Sequence, residues 1–196
     1  MAHLKIIVAS TRPGRIGLTI GQWVDAEARE HGGFEDIELI DLAEVNLPFM
    51  NEPHHPRLGQ YTHQHTRDWS AKIAEGDAFV FVMPEYNYGY NAELKNALDY
   101  LHNEWHHKPV GLVSYGGVAA GTRAAQMIKQ VVTTLRMTPL FEAVAIPFAH
   151  QFLTEDGGLA ANDAMTGSAK AMFDELKRVS EALRPLRAPQ PAAVKP

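Results

Sequence analysis

Six consecutive apolar residues, Ala78-Phe79-Val80-Phe81-Val82-Met83, constrain this chain more than any other feature. A strand with one wet face alternates apolar and polar residues, whereas an unbroken apolar run must be covered on both sides, as in a parallel sheet sandwiched between helices. Pro84 closes the run, and a polar, aromatic turn leads directly into a helical pattern. The same grammar recurs along the chain. Leu4 to Ala9 is a β-branched run, followed by a Ser/Arg/Gly loop and then by Ile16, Ile20, Trp23, Val24 and Ala28 at helical spacing, stopped at His31-Gly32-Gly33.

Further strands are expected at Ile37 to Leu42, Pro109 to Tyr115 and around Phe141 to Ile146. Helices are expected at Thr62 to Glu75, Asn91 to His102, Thr122 to Leu135 and Ala160 to Leu183. Strands alternating with helices long enough for right-handed crossovers predict an α/β fold with a five-stranded parallel sheet covered on both faces. The natural strand order is the flavodoxin-like 2-1-3-4-5, a three-layer sandwich whose topological switch lies between the first and third strands. Residues 1–183 are expected to form one such domain, and 184–196 a Pro-rich C-terminal tail without packed structure. Ala43 to Tyr61, with Pro48, Pro53 and Pro56, is a long connection carrying exposed-looking Leu47, Phe49 and Met50, which points to a protein partner.

Composition excludes several classes of function. The 196 residues contain no cysteine, so disulfide scaffolds, thiolate metal sites and cysteine nucleophiles are ruled out, and redox chemistry must come from a bound cofactor. The net charge of −5, with both signs interspersed, argues against a nucleic-acid partner. No apolar run reaches bilayer length and the N-terminal run is short for a signal peptide, so the expectation is a cytoplasmic protein with no membrane partner.

Two loops carry ligand-like chemistry, and they follow the strands on either side of the expected switch point. The first, Ser10-Thr11-Arg12-Pro13-Gly14-Arg15-Ile16-Gly17, offers hydroxyls, two guanidiniums, a flexible glycine and the free N–H groups of a helix start, all suited to a phosphate. It lacks the spacing of a P-loop or of a dinucleotide fingerprint. Its residues are equally compatible with a solvated turn and helix cap. In the second loop, Glu85, Tyr86 and Asn87 could bond the edge of a heterocycle while tyrosine rings pack on its plane, with Asn91 as N-cap of the next helix. Ordinary packing of Tyr86, Tyr88 and Tyr90 at a loop accounts for the same residues. Leu94, Leu98 and Leu101 form that helix's core face, and Lys95 with Asp99 an i,i+4 ion pair.

Ser10-Thr11-Arg12 with Gly14-Arg15-Ile16-Gly17, Pro84-Glu85-Tyr86-Asn87 followed by Leu94-Lys95-Asn96-Ala97-Leu98-Asp99, and Ser114-Tyr115-Gly116-Gly117 together resemble the NAD(P)H-dependent FMN reductases of the flavodoxin-like superfamily, over most of the chain. The resemblance implies noncovalent FMN, its phosphate on Ser10, Arg12 and the turn Arg15, Ile16, Gly17. It places the isoalloxazine against Pro84, Glu85, Tyr86 and Asn87, with the third loop, Ser114, Tyr115, Gly116 and Gly117, adding further contacts. It also implies NADPH or NADH as hydride donor, a quinone, azo compound or flavin as acceptor, and a homodimer or homotetramer. Arg15-Ile16-Gly17 departs from the serine-containing variants common in that family, which puts single phosphate contacts in doubt rather than the loop. No catalytic side chain is expected, because the reaction takes place at the flavin.

His102 and His106 would share a helix face, but no third ligand completes a zinc set, so no metal is expected. Ser114 does not sit in a G-x-S-x-G elbow. A flavodoxin-type electron carrier would bind FMN without a substrate of its own, although such carriers steer by a strongly acidic face that a charge of −5 does not suggest. An interaction protein that kept the fold and lost the cofactor is the third reading.

Overall fold

The run at 78–83 is the middle strand of a five-stranded parallel sheet of order β2-β1-β3-β4-β5. The computed structural model describes residues 2–187. The strands are β1 (Ala2–Val8), β2 (Phe34–Asp41), β3 (Ala78–Pro84), β4 (Pro109–Tyr115) and β5 (Thr138–Ile146). The helices are α1 (Gly17–His31), α2 (Leu42–Val45), α3 (Gln64–Ala74), α4 (Ala92–Asp99), α5 (Thr122–Thr134) and α6 (Asp163–Arg187). All six residues from Ala78 to Met83 are fully buried. Phe79, Phe81 and Met83 join one core with Trp69, Leu94, Leu98, Trp105 and Ile128, while Ala78, Val80 and Val82 join the opposite core with Ile20, Val24, Val113, Phe173 and Leu176. Alternation of side chains across the sheet thus fills both layers from one strand, each large side chain contributing about 1.5–3 kcal/mol.

The edge strands begin earlier than the apolar pattern suggests. β2 starts at Phe34 and β5 at Thr138, each three residues before the expected start, because their first residues include exposed polar positions such as Glu35, Asp36 and Thr138. An edge strand leaves part of its surface in water, so periodicity under-reads it. Gly32, in the left-handed conformation at φ 64°, ends α1 where the His-Gly-Gly punctuation expects it.

The helix after β3 is shorter than expected, Ala92–Asp99 rather than Asn91 to His102. The indole N–H of Trp69 donates to the Ala97 carbonyl at 2.9 Å and that of Trp105 to the Leu98 carbonyl at 3.2 Å, so two fully buried tryptophans take the carbonyls with which the helix would have continued. A short 3₁₀ turn at Asn103–Trp105 follows. His102 and His106 consequently do not share a helix face; their rings meet edge to face at 4.8 Å, and burial pushes His106 down to about 4. At the other end of the chain, α6 passes Leu183 and continues through Arg187 with Pro185 inside it. Arg187 fixes that last turn by donating to Asp77 Oδ1 at 3.1 Å and to the His107 carbonyl at 3.1 Å. The rest of the expected tail, 188–196, lies outside the described residues.

The long connection of residues 43–61 packs on its own domain more than its composition suggests. Asn96 donates to the Pro48 carbonyl at 2.7 Å and accepts from the Met50 N–H at 3.0 Å, and the Tyr100 hydroxyl, 3.1 Å from the Pro48 carbonyl and 3.0 Å from Asn51 Oδ1, holds the same stretch. Leu47 packs against the core, whereas Phe49 is 84% exposed and Met50 and Leu58 are also exposed. Glu52 locks the far end of the loop, accepting from the N–H groups of Thr62 at 2.7 Å and His63 at 3.0 Å. Burial alone would raise this carboxyl, but the hydrogen bonds outweigh it and hold Glu52 at about 2, below its ordinary 4.5. A depressed carboxylate contributes stability that is complete above the ordinary value and is lost as pH falls through 4.5 towards 2. Thermal midpoints of Glu52→Gln should therefore lie below those of the parent at neutral pH and converge with them on acidification; parallel curves would contradict this.

Candidate active site

The loops that leave the carboxyl ends of the strands are hydrogen-bonded to one another across the sheet. From the β1 loop, Thr11 donates to Glu93 at 2.9 Å, and Asn91 donates both to the Ala9 carbonyl at 2.7 Å and to Glu93 at 2.7 Å. Asn91 does sit at the N-cap position of α4, but its side chain makes no cap bond and instead ties two loops together. Between the β3 and β4 loops, the Glu85 N–H donates to the Tyr115 carbonyl at 3.0 Å. The Glu85 carboxylate takes a 2.7 Å bond from the Arg123 guanidinium and a 3.1 Å bond from the Arg123 backbone N–H. Between the β4 and β5 loops, the Phe148 N–H donates to Gly117 O at 3.2 Å and the Ala149 N–H to Gly116 O at 3.4 Å.

These braced loops enclose a crevice of about 400 Å³, within the ordinary size of a small-molecule site. Arg12, Arg15 and Ile16 line it from the first loop, Pro84, Glu85 and Tyr86 from the second, and Tyr115, Gly116 and Gly117 from the third. Nine of the residues expected from sequence therefore converge. Ser10 and Gly17 lie beneath the lining, at the start of α1. A Cβ at Gly17 would collide with the Ser10 hydroxyl and lie 2.5 Å from the Tyr115 hydroxyl, so only glycine permits this close approach. Ser10 is fully buried, and its Oγ lies beside the Tyr115 hydroxyl. Helix α1 begins there with neither a side-chain cap nor an acidic residue in its first turn. The free N–H groups of the helix start suit a phosphate, and burial pushes the neighbouring Tyr115 phenol up to about 12, outweighing its bond to Ser10 and keeping its proton in place.

The two arginines of the first loop differ in role. Arg15 forms a bidentate pair with buried Asp41, at 2.6 and 2.5 Å, and also donates to the Ser10 carbonyl. Its hydrogen bonds to Asp41 hold the guanidinium above its ordinary value. It is a brace that shapes the loop from within. Arg12 is exposed and lines the crevice; its carbonyl accepts from the Arg15 N–H at 3.1 Å, but its guanidinium has no hydrogen bond or ion pair among the described residues.

Two residues expected at the site lie elsewhere. Ser114 is buried and spends its hydroxyl on the Ala120 carbonyl at 2.9 Å, closing the β4 loop. Asn87 does not line the crevice; with Tyr88 it forms the two left-handed corners, φ 50° and 72°, of a turn closed by paired Tyr86 and Gly89 hydrogen bonds. The Tyr88 ring lies under the Arg123 guanidinium at 4.0 Å and Tyr90 packs against the core, so Tyr86 alone of the three tyrosines faces the crevice. The fourth wall, Phe148, Ala149, His150 and Gln151, was missed from sequence. Its one available signal was position, since ligands gather outside the carboxyl ends of strands and this segment follows β5.

Fold and crevice together define a flavodoxin-like α/β protein with a crevice at its switch point, lined by arginines of the first loop and by Tyr86 and Tyr115. The model of the family described as NADPH-dependent FMN reductase matches residues 3–151. An NAD(P)H-dependent FMN reductase of Schizosaccharomyces pombe is 43% identical over 148 residues, 74% of this chain and 73% of the relative. One from a Nectria species is 32% identical over 97% of this chain and all of its own. Among solved structures, the flavoenzyme NAD(P)H:(acceptor) oxidoreductase of Paracoccus denitrificans superposes with a TM-score of 0.74 at 18% identity, covering 93% of this chain and 98% of that one, a likeness of fold. The chain belongs to the NADPH-dependent FMN reductase family. It is an oxidoreductase with FMN and NAD(P)H as its cofactors.

Removing Arg15 strands Asp41, which is only 6% exposed, without its cation. Arg15→Ala is therefore expected to lower the unfolding free energy by about 3 kcal/mol, seen as a shifted denaturant midpoint. Arg12→Ala should leave that midpoint in place, and equal losses in the two variants would refute the division of roles.

Proposed function

We propose that FMN lies in the crevice with its phosphate in the Ser10–Gly17 cradle and its ring system between Pro84–Tyr86 and Tyr115–Gly117. The observation that carries this reading is the convergence on one crevice of the uncapped N-terminus of α1 and the Arg12 guanidinium, which makes no hydrogen bond or ion pair among the described residues. Bound FMN supplies the hydride chemistry, accepting from NAD(P)H and passing two electrons onward. The chain's own residues bind and orient. Arg12, Ser10 and the first N–H groups of α1 neutralise the phosphate, while Glu85 is held by Arg123 and so fixes the Pro84–Tyr86 wall against the β4 loop. Tyr115, buried and protonated, closes the floor. The open side is left for nicotinamide and acceptor in turn, which supports alternating, ping-pong kinetics. Relatives named as an FMN-dependent NADPH-azoreductase and as NAD(P)H:quinone oxidoreductase support an azo compound or a quinone as acceptor.

The exposed Phe49, Met50 and Leu58 on the 43–61 connection support a homodimer through that face, since clustered surface apolar groups mark partner contacts. No helix among the described residues is long and apolar enough to cross a membrane, and dependence on a diffusible nucleotide donor supports a cytoplasmic location.

The purified protein should be yellow or become so with FMN, and NADPH or NADH should bleach it. Absence of bleaching by either donor would end the reductase reading. Arg12→Ala should weaken FMN binding by about tenfold or more, as expected for loss of a hydrogen bond between charged groups; unchanged affinity in a fluorescence titration would remove Arg12 from the phosphate site. Light scattering should return twice the monomer mass, and Phe49→Asp should shift it towards one.

A further inference from the structure

The fourth wall of the crevice carries an aromatic side chain that the core does not use. Phe148 is 50% exposed although its neighbour Ala149 is buried, and its backbone sits in the left-handed region at φ 47°. A bulky residue there is strained and persists only when its surroundings impose it. The surroundings are the two hydrogen bonds to the carbonyls of Gly117 and Gly116, which fasten this corner to the β4 loop. Among the described residues no other aromatic ring stacks on Phe148. Tyr86, 39% exposed, lines the same cavity as Phe148. Tyr115, at 6% exposure, belongs instead to the floor.

We propose that Phe148 is the acceptor-selecting wall of the site, a fixed platform on which a planar aromatic acceptor such as a quinone stacks in the cavity that Tyr86 also lines. The proposal rests on the reading that the crevice holds FMN. No bond forms or breaks at Phe148. The acceptor gains the hydride that NAD(P)H originally gave and one proton from solvent, and NAD(P)⁺ and the two-electron-reduced acceptor are released. The strained corner explains how the ring is held at the rim instead of collapsing into the core: backbone and hydrogen bonds fix it, so the acceptor meets a surface that needs little ordering on binding.

The test compares FMN-loaded parent, Phe148→Ala and Phe148→Tyr with 2-methyl-1,4-naphthoquinone and with ferricyanide, which has no ring to stack. Loss of an aromatic contact should raise the quinone KM of Phe148→Ala about tenfold with kcat little changed, leave the ferricyanide rate and the bleaching rate with NADPH at parental values, and be restored in Phe148→Tyr. FMN affinity and thermal midpoint of Phe148→Ala should match the parent, which separates acceptor binding from support of the loop. An unchanged quinone KM overturns the proposal. So does an equal loss with both acceptors or a fall in FMN affinity, since the ring would then serve the loop or the flavin. A parent protein that binds no FMN brings down the underlying reading, and the proposal with it, before any variant is compared.

Discussion

Everything at the site depends on β1 lying between β2 and β3. The pairing of Leu4 through Val8 with Ala78 through Val82 on one side and with Ile37 through Asp41 on the other makes β1 the switch point, where successive connections leave to opposite faces of the sheet. Helix α1 departs to one face and α4 to the other, so the chain parts above the end of β1 and a crevice opens there. The cost of that gap is borne by the continuous burial of β3, whose residues feed both cores and keep the two layers on one scaffold.

Around the gap the charges are divided by burial. Arg15 is turned inward to Asp41, where both partners are largely withdrawn from water and the pair is strong only because its geometry is bidentate. Arg12, three residues earlier, has no such partner and keeps its charge for a ligand. Glu85 and Arg123 form a second ion pair on the other side, here with an exposed guanidinium, linking the β3 loop to the start of α5. Two ion pairs thus brace the loops of the crevice, and the Arg12 guanidinium is left without one among the described residues.

While Asn46, His107 and Arg136 lie elsewhere, four of the seven non-glycine residues at positive φ among the described residues, Asn87, Tyr88, Ala120 and Phe148, lie in the loops around the crevice. Each is held by hydrogen bonds within or between those loops, a pattern expected where structure is fixed for binding rather than for stability.

By itself, the sequence determined the layers and the strand order, because an unbroken apolar run such as 78–83 has few ways to be buried and because the helix stop at Gly32 and the strand end at Pro84 are local chemistry. It also determined which three loops meet, since strand ends in a parallel sheet all point the same way. Only the tertiary structure decided which side chain of each loop turns inward. Arg12 and Arg15 are chemically alike, and Asp41, distant in sequence, claims one of them; Tyr86, Tyr88 and Tyr90 are alike, and Arg123 and the core claim two. The fourth wall at Phe148–Gln151 has no composition of its own to announce it, and it exists because two backbone hydrogen bonds from β5 to β4 bring it across the sheet edge.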